Sequence, residues 1–307
     1  MKQVQKLLSL LLILALALCL SGCSVITITK AAKNMSSLES LSTDLALNLD
    51  INMSMMDEAM PIAVSVSGPF DMDLANGKGR GDLTVDLMGE PMNLLFYYEK
   101  AENEYITYVS ADGGANWTRT ETPLEAKQET GSSDLKSLAL LKKLSGSFEE
   151  SGTETVNGKE VVLYTGNVRW EELAEDLDLS SAMETAGSAA GTELDLNGLD
   201  LSALGSIPVT IGYDKENALV VKASADLTET VRNLLPMITK AIMQSIAAES
   251  GGDLTEMEDF DLSDLGIAVD IRTLSVSADL YNFDAVGDIV IPAEALAAEA
   301  APLTADA

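Results

Sequence analysis

The side chains of this chain that could do chemistry are mostly carboxylates, and they have few partners. Its 307 residues carry 49 acidic and 19 basic side chains and no histidine, a formal net charge of −30. Glu149-Glu150 and Glu171-Glu172 are adjacent acids, and paired carboxylates act as acid and base or nucleophile in glycoside hydrolysis. In a chain this acidic such pairs arise from composition, and a solvated face is the expected state of each. The absence of histidine removes the commonest general base, the Ser-His and Cys-His nucleophile pairs and most zinc sites. No catalytic residue, metal or cofactor is expected, and a glycosidase is the weaker rival. A surface of this sign also excludes nucleic acid, because no cations are available to displace phosphate counterions.

Two loops invite a ligand and then fail the template. Asp71-Met72-Asp73-Leu74-Ala75-Asn76-Gly77 suggests a calcium loop, which needs an oxygen ligand at its fifth position and glycine at its sixth. Here Ala75 is fifth and Gly77 seventh, so a hairpin turn is the better reading. Gly77-Lys78-Gly79-Arg80-Gly81 lacks the strand–loop–helix setting of a phosphate loop and is placed in a hairpin. Ser110-Ala111-Asp112-Gly113-Gly114-Ala115-Asn116-Trp117 resembles an Asp box, a hairpin in which a buried aspartate ties up turn amides above a packed tryptophan. It occurs in sialidases and in many unrelated extracellular proteins, and one copy is read as a turn.

Cys23 is the residue with the clearest chemistry. Met1 to Lys6 is short and basic, and Leu7 to Leu20 is apolar but too short to span a bilayer. Small residues follow, in the order of an export signal. Leu20-Ser21-Gly22-Cys23 resembles a bacterial lipobox, in which the cysteine is acylated and becomes the first mature residue. Residues 1–22 are then the signal and residues 23–42 a lipidated tether with a short helix. Cys19 is lost with the signal, so no thiol is left for a disulfide or a metal. Acyl chains contribute about 0.8 kcal/mol per buried methylene. The expected address is the outer face of the cytoplasmic membrane, extracytoplasmic, with the membrane itself as a partner through acylated Cys23.

The remaining sequence supplies a scaffold. Leu45, Leu47, Leu49, Ile51, Met53 and Met55 alternate with polar residues, the signature of a strand with one wet and one dry face. Ile62, Val64 and Val66 continue it, with Pro61 and Gly68-Pro69 expected near the strand ends. Asn76-Gly77 and Gly89-Glu90-Pro91 mark turns around Leu83, Val85 and Leu87. Residues 43–121 therefore read as an antiparallel meander. A helix is expected at 134–144, a hairpin over Asn157-Gly158, an acidic helix at 170–179 and a mobile insertion near 180–197. A second sheet section starts near Ile207. The longest helix, 228–248, carries Leu234, Ile238 and Ile242 on an apolar stripe and contains Pro236, which predicts a kink. The last strong strand covers 269–281, residues 288–292 close the fold, and the alanine-rich tail 293–307 is expected to be disordered. The similar stretches Asp200 to Gly205 and Asp261 to Gly266 are attributed to composition.

The dry sheet face, the helix stripe and 13 methionines fit two interiors. One is a plain core. The other is an adaptable lining for an apolar ligand, since methionine packs loosely and accommodates change. The candidate lining residues are Leu45, Leu47, Leu49, Ile51, Met53, Val64, Val66, Leu83, Val85, Leu87, Leu234, Ile238 and Ile242.

These residues taken together resemble the LolA/LppX-like lipoproteins. The resemblance rests on the lipobox, the short helix, strands from Thr43 onward and the hairpin Val156-Asn157-Gly158-Lys159-Glu160. It extends to the run Val209-Thr210-Ile211-Gly212-Tyr213-Asp214-Lys215-Glu216-Asn217-Ala218-Leu219-Val220-Val221-Lys222, which in that superfamily crosses two strands through a turn. Asn282 to Pro292 is similar to the C-terminal edge of uncharacterised lipoproteins of this type from Gram-positive bacteria. The resemblance implies an α+β fold over residues 43–292: one strongly curved antiparallel sheet, a half-barrel, with helices across its concave face. It also implies a lipid or acyl chain held between sheet and helices, and no catalytic residues. The alternative function is a cell-envelope interaction or sensor module with a packed core, no small ligand and an unknown protein partner.

Overall fold

The computed structural model describes residues 25–55, 58–123, 147–174, 201–237, 239 and 267–300. Eleven antiparallel strands form one open sheet. The first meander is β1 (Ser40–Met55), β2 (Glu58–Asp73), β3 (Lys78–Leu87), β4 (Glu90–Lys100), β5 (Glu104–Ser110) and β6 (Thr118–Pro123). The second is β7 (Phe148–Val156), β8 (Lys159–Arg169), β9 (Ser206–Asp214), β10 (Leu219–Asp226) and β11 (Ile267–Tyr281). The order β6-β5-β4-β3-β2-β1-β11-β10-β9-β8-β7 joins the two meanders through β1 and β11. The second sheet section expected from the sequence is therefore the other half of the same sheet. Among the described residues four helical pieces accompany it: α1 (Val25–Ser36), α2 (Trp170–Ala174), α3 (228–237) and α4 (Ala293–Leu296), with a 3-10 turn at Leu201–Leu204. The expected helix at 134–144, the insertion near 180–197, the end of the acidic helix beyond 174 and most of the long helix beyond 237 lie outside the described residues.

The alternation in β1 sets the two faces. Leu45, Leu47 and Leu49 stand opposite Gly68, Val66 and Val64 of β2 and opposite Ala278, Val276 and Leu274 of β11. Val66 stands opposite Val85, and Val85 opposite Met92. On the other side Ala223 and Ala225 of β10 continue the same face to Ile211 and Val209 of β9, then to Tyr164 and Gly166 of β8. These apolar side chains of β1, β2, β3, β9 and β10 thus converge on one dry face, and period two does this without help from helices.

The strand prolines sit deeper than the sequence suggests. β2 runs through Pro61 and through Gly68-Pro69. At Gly68 the φ angle is +145° and the pairing to β3 breaks, resuming at Phe70 opposite Gly81. Pro61 precedes the first β2–β3 pair, Val64 with Leu87, so no ladder bond to β3 is lost at either proline.

The lysine- and arginine-containing glycine run lies in the β2–β3 hairpin and has a packing role. A Cβ on Gly79 would lie 2.1 Å from Cε1 of Tyr98, and one on Gly81 would lie 2.8 Å from Cδ2 of Phe70. The two glycines leave room for rings that lie together: Phe70 is 5.8 Å from Phe96 and 6.2 Å from Tyr98 between centroids. Burial of the Tyr98 phenol pushes its pKa up to about 12.

The C-terminal segment differs from the loose tail expected. Residues 288–292 form no strand, but Ile289 and Ile291 are buried. Ala293–Leu296 is a helix whose Ala295 is fully buried, and Ala300 bridges to Arg119 of β6. Ile291 and Ala295 anchor this segment to the back of the sheet, which a reading of composition alone misses. Residues 301–307 lie outside the described residues.

A Gly81→Ala substitution tests how firmly the ring cluster is held. The added methyl has to displace the buried Phe70 ring, and the expected loss is about 1–3 kcal/mol in urea unfolding. An unchanged midpoint would show that the rings yield freely.

Candidate functional site

The dry face is covered unevenly. Over β8 to β11 it is a packed core. Ala31 and Met35 of α1, Trp170 and Leu173 of α2, and Leu227 and Val231 at the start of α3 lie against Val168, Ile207, Val209, Ile211, Val220, Ala223 and Leu280. Polar contacts fix these covers. The Trp170 indole N–H donates to Oγ1 of Thr230 at 2.9 Å, and the Leu274 N–H donates to Oγ1 of Thr228 at 2.9 Å. Arg232 donates through Nε to the Ile271 carbonyl at 2.7 Å, and Asn34 donates to the Asn217 and Ala218 carbonyls. α3 therefore begins over β11 at the level of Leu49 and Ile51.

Over β1 to β4 the cover thins toward the hairpin ends at residues 55–58 and 87–90. Leu45, Val66, Leu83 and Val85 are buried. Leu47, Leu49, Ile51, Met53 and Val64 are half-buried, as is Leu234 on α3. Leu87 is 36% exposed at the rim. Of the residues expected to line a ligand site, the structure thus brings those of β1, β2 and β3 onto one continuous surface. Ile238, Ile242 and Cys23 lie outside the described residues.

That surface includes residues the sequence reading missed. Met60 pairs with Met53, Met92 with Val85 and Leu94 with Leu83, so all three extend the same face. Met60 is 49% and Met92 37% exposed. The signal was the alternation Met92, Leu94, Phe96, Tyr98 within β4. The result is a methionine-rich apolar stripe across four strands.

A separate hollow of about 450 Å³ lies at the β7–β8–β9 end, lined by Glu150, Thr153, Lys159, Glu160, Val162, Asp214, Lys215 and Glu216. It is polar and distant in sheet order from the apolar stripe. Lys159 lies 3.6 Å from Asp214, and the Asp214 carboxylate is already engaged by the Glu216 and Asn217 amides and the Asn217 side chain.

The acids that invited catalysis are occupied or apart. Glu149 and Glu150 are successive residues of β7 and project to opposite faces. Glu172 pairs with Arg169 at 2.5 Å, while Glu171 is exposed. In the loop that suggested calcium, Asp71 accepts from Ser42 and pairs with Arg80 at 2.8 Å. Asp73 accepts from the backbone and side chain of Asn76, which is the work of a turn. Among the described residues no group of acids is placed to hold a metal ion.

The Asp-box resemblance holds in its hydrogen bonds and departs in burial. Asp112 is exposed. It accepts from the Asn116 N–H at 2.9 Å, from the Asn116 side chain at 2.6 Å and from the Ser110 hydroxyl at 2.7 Å. Trp117 donates to the Gly114 carbonyl and packs edge-on against Tyr97, with centroids 5.7 Å apart. The Asn116 amide is the chief cause holding the Asp112 carboxyl down at about 2.

No protein-family model matches the chain, and no curated protein matches it. Among solved structures it is similar to the lipoprotein LppX of Mycobacterium tuberculosis, with 10% identity and a TM-score of 0.35 over 87% of this chain and 97% of that one. It is also similar to LprF of Mycobacterium bovis, with 13% identity and a TM-score of 0.37 over 88% and 96%. At such scores the likeness identifies no ligand and no residue.

Asn116→Ala should raise the Asp112 midpoint well above 2, followed by carboxyl chemical shifts in an NMR titration. Because the folded value is depressed, the wild-type carboxylate favours the fold above the unfolded midpoint of about 3.9. That advantage is lost as pH falls through about 2. An unmoved midpoint would mean that Asn116 is not the chief cause.

Proposed function

We propose that the chain is a membrane-tethered extracytoplasmic lipoprotein that holds an apolar ligand, a lipid or acyl chain, against the dry face of β1 to β4 beside α3. The observation that carries this reading is the half-covered stripe from Leu47 to Met53, Val64, Met60 and Met92 on a protein whose outside is strongly acidic. Uncovered apolar surface forgoes about 25 cal/mol per Å². An acyl chain laid on the stripe recovers that at about 0.8 kcal/mol per methylene. Methionines at the rim suit ligands of variable shape. Acylation of Cys23 supplies the tether to the outer face of the cytoplasmic membrane. The tether matters because a body at −30 is repelled by anionic headgroups. Binding is the activity this stripe supports.

The packed half over β8 to β11 favours a second reading for that half: a structural core with no ligand, as in an envelope interaction module.

Native mass spectrometry of the protein purified from membranes should show bound lipid, and cis-parinaric acid should gain fluorescence on the delipidated protein. Leu49→Glu, in the middle of the stripe, should weaken that binding at least about tenfold by placing a charge in the apolar contact. Absence of co-purifying lipid, together with a melting temperature indifferent to added fatty acid, would leave the packed-module reading in its place.

A further inference from the structure

The sheet has two edges, β6 and β7, and an exposed edge is a template for pairing with another chain. They are protected differently. β7 carries Glu149, Glu150 and Glu154 and a bulge at Gly152, whose φ is +140°. Charge and a bulge both discourage an added strand. β6 pairs with β5 in regular register from Thr118 to Pro123 and has no bulge. Among the described residues, the segment that reaches it is the chain's own C-terminal one.

After Tyr281 the chain turns at Asn282 and Asp284, both in the left-handed region at φ +49° and +54°, which these two residue types tolerate. Asp284 latches onto the start of β1. Its carboxylate accepts from the Glu39 N–H at 2.6 Å, and its own N–H donates to the Ser40 carbonyl at 2.8 Å. The Val286 N–H donates to the Ser40 hydroxyl at 3.2 Å. The segment then reaches the far side of the first meander. Ile291 and Ala295 pack with Ile106, Tyr108, Tyr97 and Trp117, and Ala300 forms a parallel bridge with Arg119 of β6.

We propose that residues 285–300 are a strap that caps the β6 edge, and that the partner excluded by the seated strap is β6 of a second copy. The sequence of β6 fits itself. Thr118-Arg119-Thr120-Glu121-Thr122 laid antiparallel on its copy about Thr120 puts Arg119 opposite Glu121 at both ends and Thr118 opposite Thr122. Opposite charges and threonine pairs at facing positions are favourable cross-strand contacts, and a two-fold axis is the usual way for one surface to meet itself. In the seated state Arg119 instead pairs with Glu121 of its own strand at 2.5 Å. The strap is thus an intramolecular competitor for an edge that would otherwise dimerise. This inference is independent of the lipid reading.

The test is disulfide trapping at the axis in the full-length chain. Thr120→Cys places a thiol that faces only its own copy across the proposed interface, at a Cα separation within disulfide range. With the strap seated, oxidation should give little dimer. Adding Ala295→Arg, which forces a charge into the buried strap contact, should raise the trapped dimer at least about tenfold. Adding Glu121→Arg to that variant should lower it again by a similar factor, and Arg119→Glu with Glu121→Arg should restore it. A folded Ala295→Arg variant that gives no dimer, or a dimer indifferent to Glu121→Arg, overturns the proposal. Should Ala295→Arg fail to fold, Ile291→Ser is read in the same way. Hydrogen exchange on the unaltered chain gives a separate check. β6 amides should lose protection in step with those of residues 291–300, and β6 amides that stay protected while the strap exchanges would overturn the cap.

Discussion

The pairing of β1 with β11 is the constraint on which the rest of the molecule depends. The two strands lie at opposite ends of the folded sequence, and they meet from Ser42 opposite Tyr281 to Met55 opposite Ile267. Without that ladder each meander would be a separate small sheet with β1 or β11 as one more open edge. With it, Leu41, Leu45, Leu274, Val276, Ala278 and Leu280 become the middle of one continuous dry face. A contact of such sequence separation costs chain entropy before it returns any, so sheet closure at the centre is expected to be late in folding. The same ladder places the chain's C-terminal turn beside the start of β1, where the Asp284 latch can form.

The uneven covering of the dry face follows from this topology. The first meander is joined by hairpins too short to carry helices: β1 to β2, β2 to β3, β3 to β4 and β4 to β5 are each linked within a few residues. Such a run cannot cover its own face. Among the described residues, cover comes from α1, which precedes β1, and from α2 and α3, which leave β8 and β10. α1 packs on β10, α2 on β8, and α3 begins over β11. The packed core therefore gathers over β8 to β11 and the exposed stripe over β1 to β4. Side-chain choice agrees with this division. The packed half is rich in Val, Ile and Ala at positions almost without exposure, while the stripe carries Met53, Met60 and Met92.

Most of the sheet was legible because period two survives translation into structure: Leu45 through Met53 face where their alternation says they do. The turns at Asn76-Gly77 and Asn157-Gly158 were legible because their backbone demands few other residues, and Asn157 does adopt φ +49°. Three features were not. Pro61 and Gly68-Pro69 look like strand ends, since nothing in the sequence shows that β3 leaves gaps opposite them. The strap was hidden because Ala293 and Ala295 signal only composition, while burial of Ala295 depends on Ile106 and Tyr108 far away in sequence. Membership of the stripe by Met60 and Met92 is a matter of register between strands, which alternation within one strand does not fix.

An exposed apolar stripe would ordinarily invite association, and the charge of this chain bears on that. At a net charge of −30 two copies repel on close approach, which opposes association between their stripes. The repulsion is largely screened beyond about 8 Å at physiological ionic strength, so it acts as two faces come close and opposes the contact itself. A neutral acyl chain has no charge to be repelled, whereas an anionic surface is opposed at close range. Charge, strap and tether then divide the work. Net charge limits encounters between faces, the strap closes the edge that charge leaves undefended, and an anchor at Cys23 would keep the stripe near the membrane from which the acidic body is otherwise repelled.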